Sequence, residues 1–359
     1  MKKRVLVAMS GGVDSSTAAW FMKQKGYEVI GATMCIGVLD RARAVPTRCC
    51  GLADIEDARR VALQLEIPFY LFNLRDEFER EIIDYFCNEY AEGRTPNPCI
   101  LCNERMKFGF FLEKALEMGA DYVVTGHYAR LEFDERTGRH LLAKGADGAK
   151  DQSYVLFSLR QDQLRHTLFP LGECRKEEVR REAFQVGLKV HDKPESQEIC
   201  FIHEANYHSF LKERLRTSID PGEIVDAKGH VLGRHRGIAF YTIGQRKGLG
   251  LAKGRPLYVT AIDRRRNTIV VGEEKDVYRD TFIVDHLNWI ASSETAPLAA
   301  NVKIRYNHPG SEATLTLRGK DEAEVKFKSP QKAITPGQAA VFYDGESVLG
   351  GGWIREVIR

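Results

Sequence analysis

The stretch Ala8-Met9-Ser10-Gly11-Gly12-Val13-Asp14-Ser15-Ser16 decides the fold. It follows the apolar run Val5-Leu6-Val7, which reads as a short buried parallel strand, and leads into residues 17–25, which read as a helix closed by Gly26. Strand, glycine turn and helix in that order make a phosphate site. The glycines let the backbone turn tightly and approach a ligand, while Ser10, Ser15, Ser16 and the N–H groups opening the helix offer donors to an anion. A Walker A loop would place Lys-Ser/Thr after its second glycine. Here Val13-Asp14-Ser15 stands instead, so a kinase or GTPase reading fits poorly. Gly-Gly alone would equally suit an ordinary turn; the whole stretch in this context does not.

The surrounding chain has 359 residues, enough for two or three domains with a substantial core. With 43% hydrophobic and 29% charged residues its composition is ordinary for a globular protein. A net charge of +3 means that nucleic-acid binding must be argued from local basic patches. No long apolar segment suggests a membrane span, and the run after Met1-Lys2-Lys3-Arg4 is too short for a signal peptide, so a cytoplasmic location is expected. Eight cysteines are too few for a disulfide scaffold and read as catalytic, metal-binding or buried thiols.

Outward from the glycine loop, residues 28–34 read as a second strand beside the first. Ligands in open α/β sheets bind at strand carboxyl ends, which makes Met34 a candidate adenine contact; a core methionine would look the same. Residues 40–51 are polar and irregular, with adjacent Cys49 and Cys50. Asp54 is expected to cap a helix to about Leu65, and a strand over 69–74 and a helix over 76–92 follow, with Cys87 packed inside. The run Gly93-Arg94-Thr95-Pro96-Asn97-Pro98-Cys99-Ile100-Leu101-Cys102-Asn103 reads as a rigid loop feeding a helix over 104–118. A cysteine there has its thiolate favoured by the helix dipole, which makes Cys102 a candidate nucleophile. The Cys99-x-x-Cys102 spacing permits a redox pair, half a zinc site or two iron–sulfur ligands, and does not choose among them.

Residues 121–125 read as another buried strand, ending in Gly126-His127-Tyr128 at the nucleotide crevice. A hairpin over 131–133 and 140–142 and helices over 161–168 and 176–186 follow; Cys174 has no expected role. The polar groups of Lys193-Pro194-Glu195-Ser196-Gln197-Glu198 before Cys200 suggest a functional loop, although a buried Cys200 between Ile199 and Phe201 fits as well. Beyond a helix over 204–215 the texture changes to short strands over 222–225, 239–242, 257–262 and 268–271, and then over 301–306, 313–317, 322–327 and 339–343. Basic clusters at Arg234-His235-Arg236, Arg246-Lys247 and Arg264-Arg265-Arg266 suit phosphates or solvated turns. The expected architecture is an α/β Rossmann-like domain with a parallel sheet (1–203), a small mixed central domain (204–280) and a C-terminal β-barrel (281–359).

Together these stretches resemble one family from end to end, the tRNA-specific 2-thiouridylases of the MnmA/TrmU type, members of the PP-loop ATP pyrophosphatases. The resemblance is carried by Met9–Ser16, Gly93-Arg94-Thr95-Pro96-Asn97-Pro98, Cys102-Asn103, Lys107-Phe108, Thr125-Gly126-His127-Tyr128, Lys150-Asp151-Gln152-Ser153-Tyr154, Ile199-Cys200-Phe201-Ile202 and Thr242-Ile243-Gly244-Gln245-Arg246-Lys247-Gly248-Leu249-Gly250. It implies thiolation of the wobble uridine in the tRNA anticodon loop. ATP, with Mg²⁺, would sit on Ala8, Met9, Ser10, Gly11, Gly12, Val13, Asp14 and Ser15, with Met34 and Gly126 lining the site. The uridine C2 oxygen would be adenylated, which turns a poor leaving group into AMP. A sulfur-donor protein, a cysteine desulfurase or a relay protein, would load Cys200 as a persulfide, and Cys102 would act as partner nucleophile through a transient Cys102–Cys200 disulfide.

By the same resemblance Asn97, Pro98, Cys99 and His127 face the target base, and Lys150, Asp151, Gln152, Arg305, Tyr306 and Gln338 contact tRNA. Monomeric action is expected. Many members carry an acidic residue where this chain has Cys99, which leaves proton transfer without an obvious agent. That departure raises an alternative, a [4Fe–4S] cluster on Cys99, Cys102 and Cys200. The remaining rivals are another PP-loop enzyme, either a 4-thiouridine synthetase or an amide-forming synthetase, and a non-catalytic, nucleotide-gated RNA-binding module.

Overall fold

Val5, Leu6 and Val7 are fully buried because the first strand, β1 (Arg4–Ala8), runs through the middle of a parallel sheet covered on both faces. The computed structural model describes residues 2–37, 51–194, 199–202, 207–215, 219–251, 254–291 and 297–358; Cys49 and Cys50 lie outside them, as does the expected domain boundary at 203. β2 (Glu28–Cys35), β3 (Phe69–Asn73), β4 (Tyr122–Val124) and a two-residue edge strand complete a sheet in which β1 lies between β2 and β4. Val5 pairs in register with Val29 on one side and Tyr122 on the other. Helix α1 (Val13–Gln24) packs Ala18, Ala19 and Met22 over Val5 and Val7, whereas Leu6 and Val123 face Phe108 and Phe111 on the opposite side.

Helix α1 starts at Val13, four residues before the expected start. Serine and threonine are poor in helix interiors because they compete for backbone partners, but here the competition is satisfied locally. Ser16 Oγ donates to Gly12 O at 2.8 Å and Thr17 Oγ1 to Val13 O at 2.9 Å. Helix α2 (Leu52–Gln64) is entered from Gly51, and Asp54 lies in its first turn rather than capping it. Helix α3 (75–91) carries a π-helical turn over Glu79–Ile83 and buries Cys87. Helix α4 spans 98–117, with a π-helical stretch over Cys102–Phe110. Pro98 occupies its first position, where the missing N–H costs nothing, so the helix starts six residues earlier than expected and both Cys99 and Cys102 lie on it.

The hairpin forms as β5 (Ala129–Asp134) and β6 (Arg139–Lys144). Of the expected helix over 161–168 only Gln161–Leu164 is helical; Thr167–Leu168 is the edge strand β7, parallel to β4. Helix α6 (Lys176–Gln185), counting Gln161–Leu164 as α5, closes the first region. After helix α7 (Tyr207–Arg214) comes a four-stranded sheet of β8 (Gly222–Val225), β9 (Val231–His235), β10 (Tyr258–Asp263) and β11 (Thr268–Gly272). Residues 238–240 form a short 3₁₀ turn, not the expected strand, and β9 stands where a basic cluster had hidden the alternation.

Strands β12 (Tyr278–Trp289), β13 (Leu298–Lys303), β14 (Ser311–Leu317), β15 (Ala323–Lys332), β16 (Ala339–Asp344) and β17 (Ser347–Val357) close into a six-stranded barrel through β12 and β17. The barrel is filled by Phe282, Val302, Leu315, Val325, Phe342 and Ile354. Hairpin β5–β6 is attached to it: Ala143 pairs with Ser347, and Lys144 N–H donates to Glu346 O at 2.9 Å. Among the described residues no helix is long and apolar enough to cross a membrane.

Candidate active site

The glycine loop turns at Gly11, whose φ of +74° belongs to the left-handed region and whose position leaves no room for a Cβ, which would lie 2.2 Å from Asp54 O. Gly12 then stands at the N-cap of α1 with no side chain to satisfy the first N–H groups, which leaves them for an anion. Ser15 Oγ accepts from Ser10 N–H at 3.1 Å and lies 3.2 Å from Ser10 Oγ, so two hydroxyls converge at the loop mouth. Gly126, at the carboxyl end of β4, packs on the start of α1; a Cβ there would meet Ser15 N at 2.8 Å. Met9 is buried, Thr33 Oγ1 donates to Met9 O at 2.6 Å, and Met34 lies half-buried at the end of β2. Donors, dipole and crevice suit the triphosphate of ATP, and Mg²⁺ bound with it would neutralise the phosphates.

Two lysines brace this loop, and the sequence assigned neither of them to it. Lys176, buried at the start of α6, donates to both carboxylate oxygens of Asp14 at 2.7 Å, and Tyr128 OH donates to the same carboxylate at 2.7 Å. Asp14 is therefore held from outside its helix. Lys193 donates to Gly11 O at 3.0 Å and to the carboxylates of Asp54 and Asp57 at 2.7 and 2.6 Å, so it ties the loop to α2. Its position at the head of the polar stretch before Cys200 was the one available signal.

Three cysteines follow the glycine loop in this region, Cys99 and Cys102 on α4 and Cys200 well beyond it. Cys102 and Cys200, both half-buried, border one apolar cluster that includes Phe78, Phe86, Leu101, Met106 and Phe201 and also takes in Met34 and Phe72 near the ends of β2 and β3. A helix and a segment about a hundred residues apart in the chain thus border the same cluster. Cys99 is exposed, yet its surroundings desolvate a thiolate: burial pushes the thiol up to about 11, with the nearby Cys200 adding and Lys107 opposing. Burial likewise pushes Cys87 up to about 12 and raises Cys174, which fits their inert roles. Cys102 is the fifth residue of α4 and so lies past the first turn, where the dipole acts most strongly.

His127 is buried, and burial, followed by the charge of Lys107, holds its pKa well below the ordinary value. The neutral ring fits the Nδ1–H tautomer, with Nδ1 2.7 Å from Thr125 Oγ1 and Nε2 3.4 Å from Lys107 Nζ. Lys107 also donates to Asn103 Oδ1 at 2.9 Å. A fixed ammonium therefore stands between Cys99 and a neutral imidazole.

The expected RNA contacts fall in two places. Tyr306 OH donates to Asp151 O at 3.1 Å, and Gly148, Asp151, Lys303, Tyr306 and His308 line a cavity of about 190 Å³. Lys303 lies over the rings of Tyr154 and Tyr306, and burial lowers its pKa. The Asp151 carboxylate accepts from Ser153 and Gly145, and Gln152 Oε1 accepts from Tyr128 N–H at 3.0 Å, so both side chains also fix their own loop. Lys150 and Arg305 flank that loop and cavity in sequence; Arg305 donates to Lys332 O. Asn97 is the N-cap of α4 and Pro98 its first residue, whereas Gln338 lies on the barrel side, its amide bonded to the loop before Asn97.

Family models divide the chain. One described as a tRNA methyl transferase HUP domain matches residues 3–204, a tRNA methyl transferase PRC-barrel domain matches 208–273, and an aminomethyltransferase beta-barrel domain matches 279–354. A tRNA-specific 2-thiouridylase MnmA of Symbiobacterium thermophilum is 52% identical, covering 99% of this chain and 93% of the relative. That of Moorella thermoacetica is 52% identical over 99% and 100%, and that of Clostridioides difficile 48% over 99% of each. The chain belongs to the tRNA-specific 2-thiouridylases. As a 2-thiouridylase it is a tRNA sulfurtransferase, and its parallel sheet, central domain and closing barrel follow the order of the three family models. Among the described residues of this 2-thiouridylase no three Cys, His, Asp or Glu side chains are grouped so that they could hold a metal ion.

Proposed function

We propose that this 2-thiouridylase adenylates the C2 oxygen of the wobble uridine of tRNA with ATP and replaces that oxygen with sulfur carried on Cys200. The observation that supports the reading is that Cys102 and Cys200 border one apolar cluster, which Met34 and Phe72 near the ends of β2 and β3 also border. A urea-like oxygen leaves poorly and AMP leaves well, which gives the glycine loop its task. The terminal sulfur of a Cys200 persulfide attacks C2 and AMP departs. The Cys102 thiolate attacks Cys200 Sγ, the persulfide S–S bond breaks, and a Cys102–Cys200 disulfide forms while sulfur stays on C2. An external thiol reduces the disulfide before the next turnover. A methyl-transfer reading, suggested by the family models' descriptions, would leave the ATP loop and the paired cysteine segments without a task.

In this reading Asn97, Pro98, Cys99 and His127 face the flipped base, and the neutral His127 offers an acceptor or a stacking surface rather than a charge. Lys150, Asp151, Gln152, Arg305 and Tyr306 meet the RNA backbone across the cavity under Lys303. The enzyme works as a cytoplasmic monomer served by a cysteine desulfurase or a relay protein, with units over 1–203, 204–280 and 281–359. Nucleoside analysis of tRNA after incubation with ATP and a persulfide donor tests the chemistry. Cys102→Ser and Cys200→Ser are expected to yield no 2-thiouridine while tRNA-dependent pyrophosphate release in the adenylation step persists; unchanged 2-thiouridine in both overturns the sulfur route.

A further inference from the structure

The segment Thr242–Gly250, singled out in the sequence for its unusual pattern, has no part in the chemistry above, and its place in the fold assigns it one. Thr242 N–H donates to Gln245 Oε1 at 3.0 Å, Gln245 N–H returns to Thr242 O at 3.0 Å, and Gly244 and Gln245 exchange backbone bonds with Val259. This turn is locked onto the start of β10. From it the Thr242 hydroxyl reaches out of the central domain and accepts from Thr95 Oγ1 at 3.1 Å. The barrel grips the same residue from another direction. Gln338 Nε2 donates to Thr95 O at 2.9 Å and to Pro96 O at 3.2 Å, and Thr95 N–H donates to Pro336 O at 2.9 Å. Gln338 is itself fixed, since its carbonyl accepts from Ile354 N–H at 2.8 Å on β17.

Every polar backbone group of Thr95, its hydroxyl and the carbonyl of Pro96 are therefore held by residues more than a hundred positions away in the chain. The next two residues are Asn97 and Pro98, which open α4 and lead to Cys99 and Cys102. A loop with two prolines has few internal bonds of its own, so its position is whatever the surrounding clamp imposes. We propose that Thr242 and Gln338 are positioning residues for the base-facing loop, so that the central domain and the barrel fix where Asn97 and Pro98 meet the uridine. This rests on the reading that the loop holds the target base. It gives Gln338 a task other than the direct tRNA contact implied by family resemblance.

The test uses the full chain, ATP, a persulfide donor with a thiol reductant, and a tRNA transcript with uridine at the wobble position. Three quantities are followed for Thr242→Val, Thr242→Ser, Thr95→Val, Gln338→Met and the Thr95→Val/Thr242→Val pair: tRNA Kd, kcat of tRNA-dependent AMP formation, and hydrogen exchange of the Thr95 amide. Misplacing a reacting group by about 1 Å costs up to ~100-fold. Thr242→Val and Gln338→Met are accordingly expected to lower kcat by about 10- to 100-fold with tRNA Kd within about twofold. Thr242→Ser keeps the hydroxyl and is expected to restore the rate, and the double variant is expected to be no slower than the slower single one. A rise in Kd that accounts for the whole loss, or an unchanged kcat, overturns the proposal. Exchange at Thr95 is read without activity and without tRNA. Faster exchange in Thr242→Val and Gln338→Met supports the clamp even if the wild-type chain forms no AMP, an outcome that would instead remove the adenylation reading; unchanged exchange removes the clamp. If Thr242→Val does not fold, Thr95→Val tests the same bond from its other side.

Discussion

The glycine loop over 8–17 and the proline loop over 94–97 are built in opposite ways. Residues 8–17 make most of their own bonds, with Ser10 to Ser15, Ser16 to Gly12 and Thr17 to Val13, and distant residues enter mainly through Asp14 and the Gly11 carbonyl. Residues 94–97 depend on Thr242, Pro336 and Gln338 for their place. A loop that must cradle the same triphosphate in every turnover gains from being prefolded. A loop that, in the function proposed above, meets the RNA beside the central domain and the barrel gains from being placed by them.

The comparison is tested most severely at the cysteines. Cys200→Ser is expected to reduce 2-thiouridine on the order of 10³-fold or more while pyrophosphate release in a single turnover stays within a few-fold of wild type. Nucleoside analysis and a pyrophosphate assay on the same samples separate the two halves of the reaction, and parallel loss of both signals would mean that activation and sulfur transfer are not divided between the loops. Next in size is Lys176→Met, which strips Asp14 of its buried cation and leaves the carboxylate with Tyr128. A loss of about 3 kcal/mol in denaturant unfolding is expected, with weakened ATP binding and unchanged tRNA affinity.

A smaller effect concerns His127, whose folded-state pKa is depressed by burial and by Lys107. Below about pH 6.5 the unfolded chain takes up a proton that the folded chain refuses, so stability is present above that pH and falls as the pH drops further. His127→Gln is expected to flatten the decline between pH 7 and 5 by up to ~1.4 kcal/mol per pH unit, read from denaturation midpoints of the two proteins. Identical slopes would mean that the ring is protonated in the folded state. The smallest expected change is at Arg264, which pairs with Glu92 at the exposed rim where the central domain meets α3. Arg264→Ala should alter stability by less than ~1 kcal/mol, because the exposed pair is screened; a larger loss would show that surface charges share the clamp's task.

Legibility followed the same division. Ser10 to Ser15 could be read in the sequence because their bonds run between neighbours a few positions apart, and the alternation over 301–306, 313–317, 322–327 and 339–343 announced a barrel, whereas β12 and β17, which close it, were not among the expected strands. The start of α4 was misplaced because Pro96 and Pro98 together signal a loop, although Pro98 alone marks the first residue of a helix. Thr167–Leu168 was read as helix because two apolar-edge residues carry no period of their own, and pairing with β4 decides them. Lys176 was illegible as a site residue, and Lys107, Lys193 and Thr242 stood in quoted motifs without an assigned task, since a lysine or threonine acquires its role only from what the fold brings to it.

Hairpin β5–β6 carries a consequence for how the chain is made. It leaves the ribosome with the nucleotide sheet, but the strand it pairs with, β17, follows about 200 residues later. At ~5–20 residues per second that interval lasts about 10–40 s, during which the edge of β6 has no final partner. The exposed Phe133 and the Arg130 side chain, later paired with Glu346, meet solvent or a chaperone first. The last barrel strand to be synthesised therefore also seals the first domain.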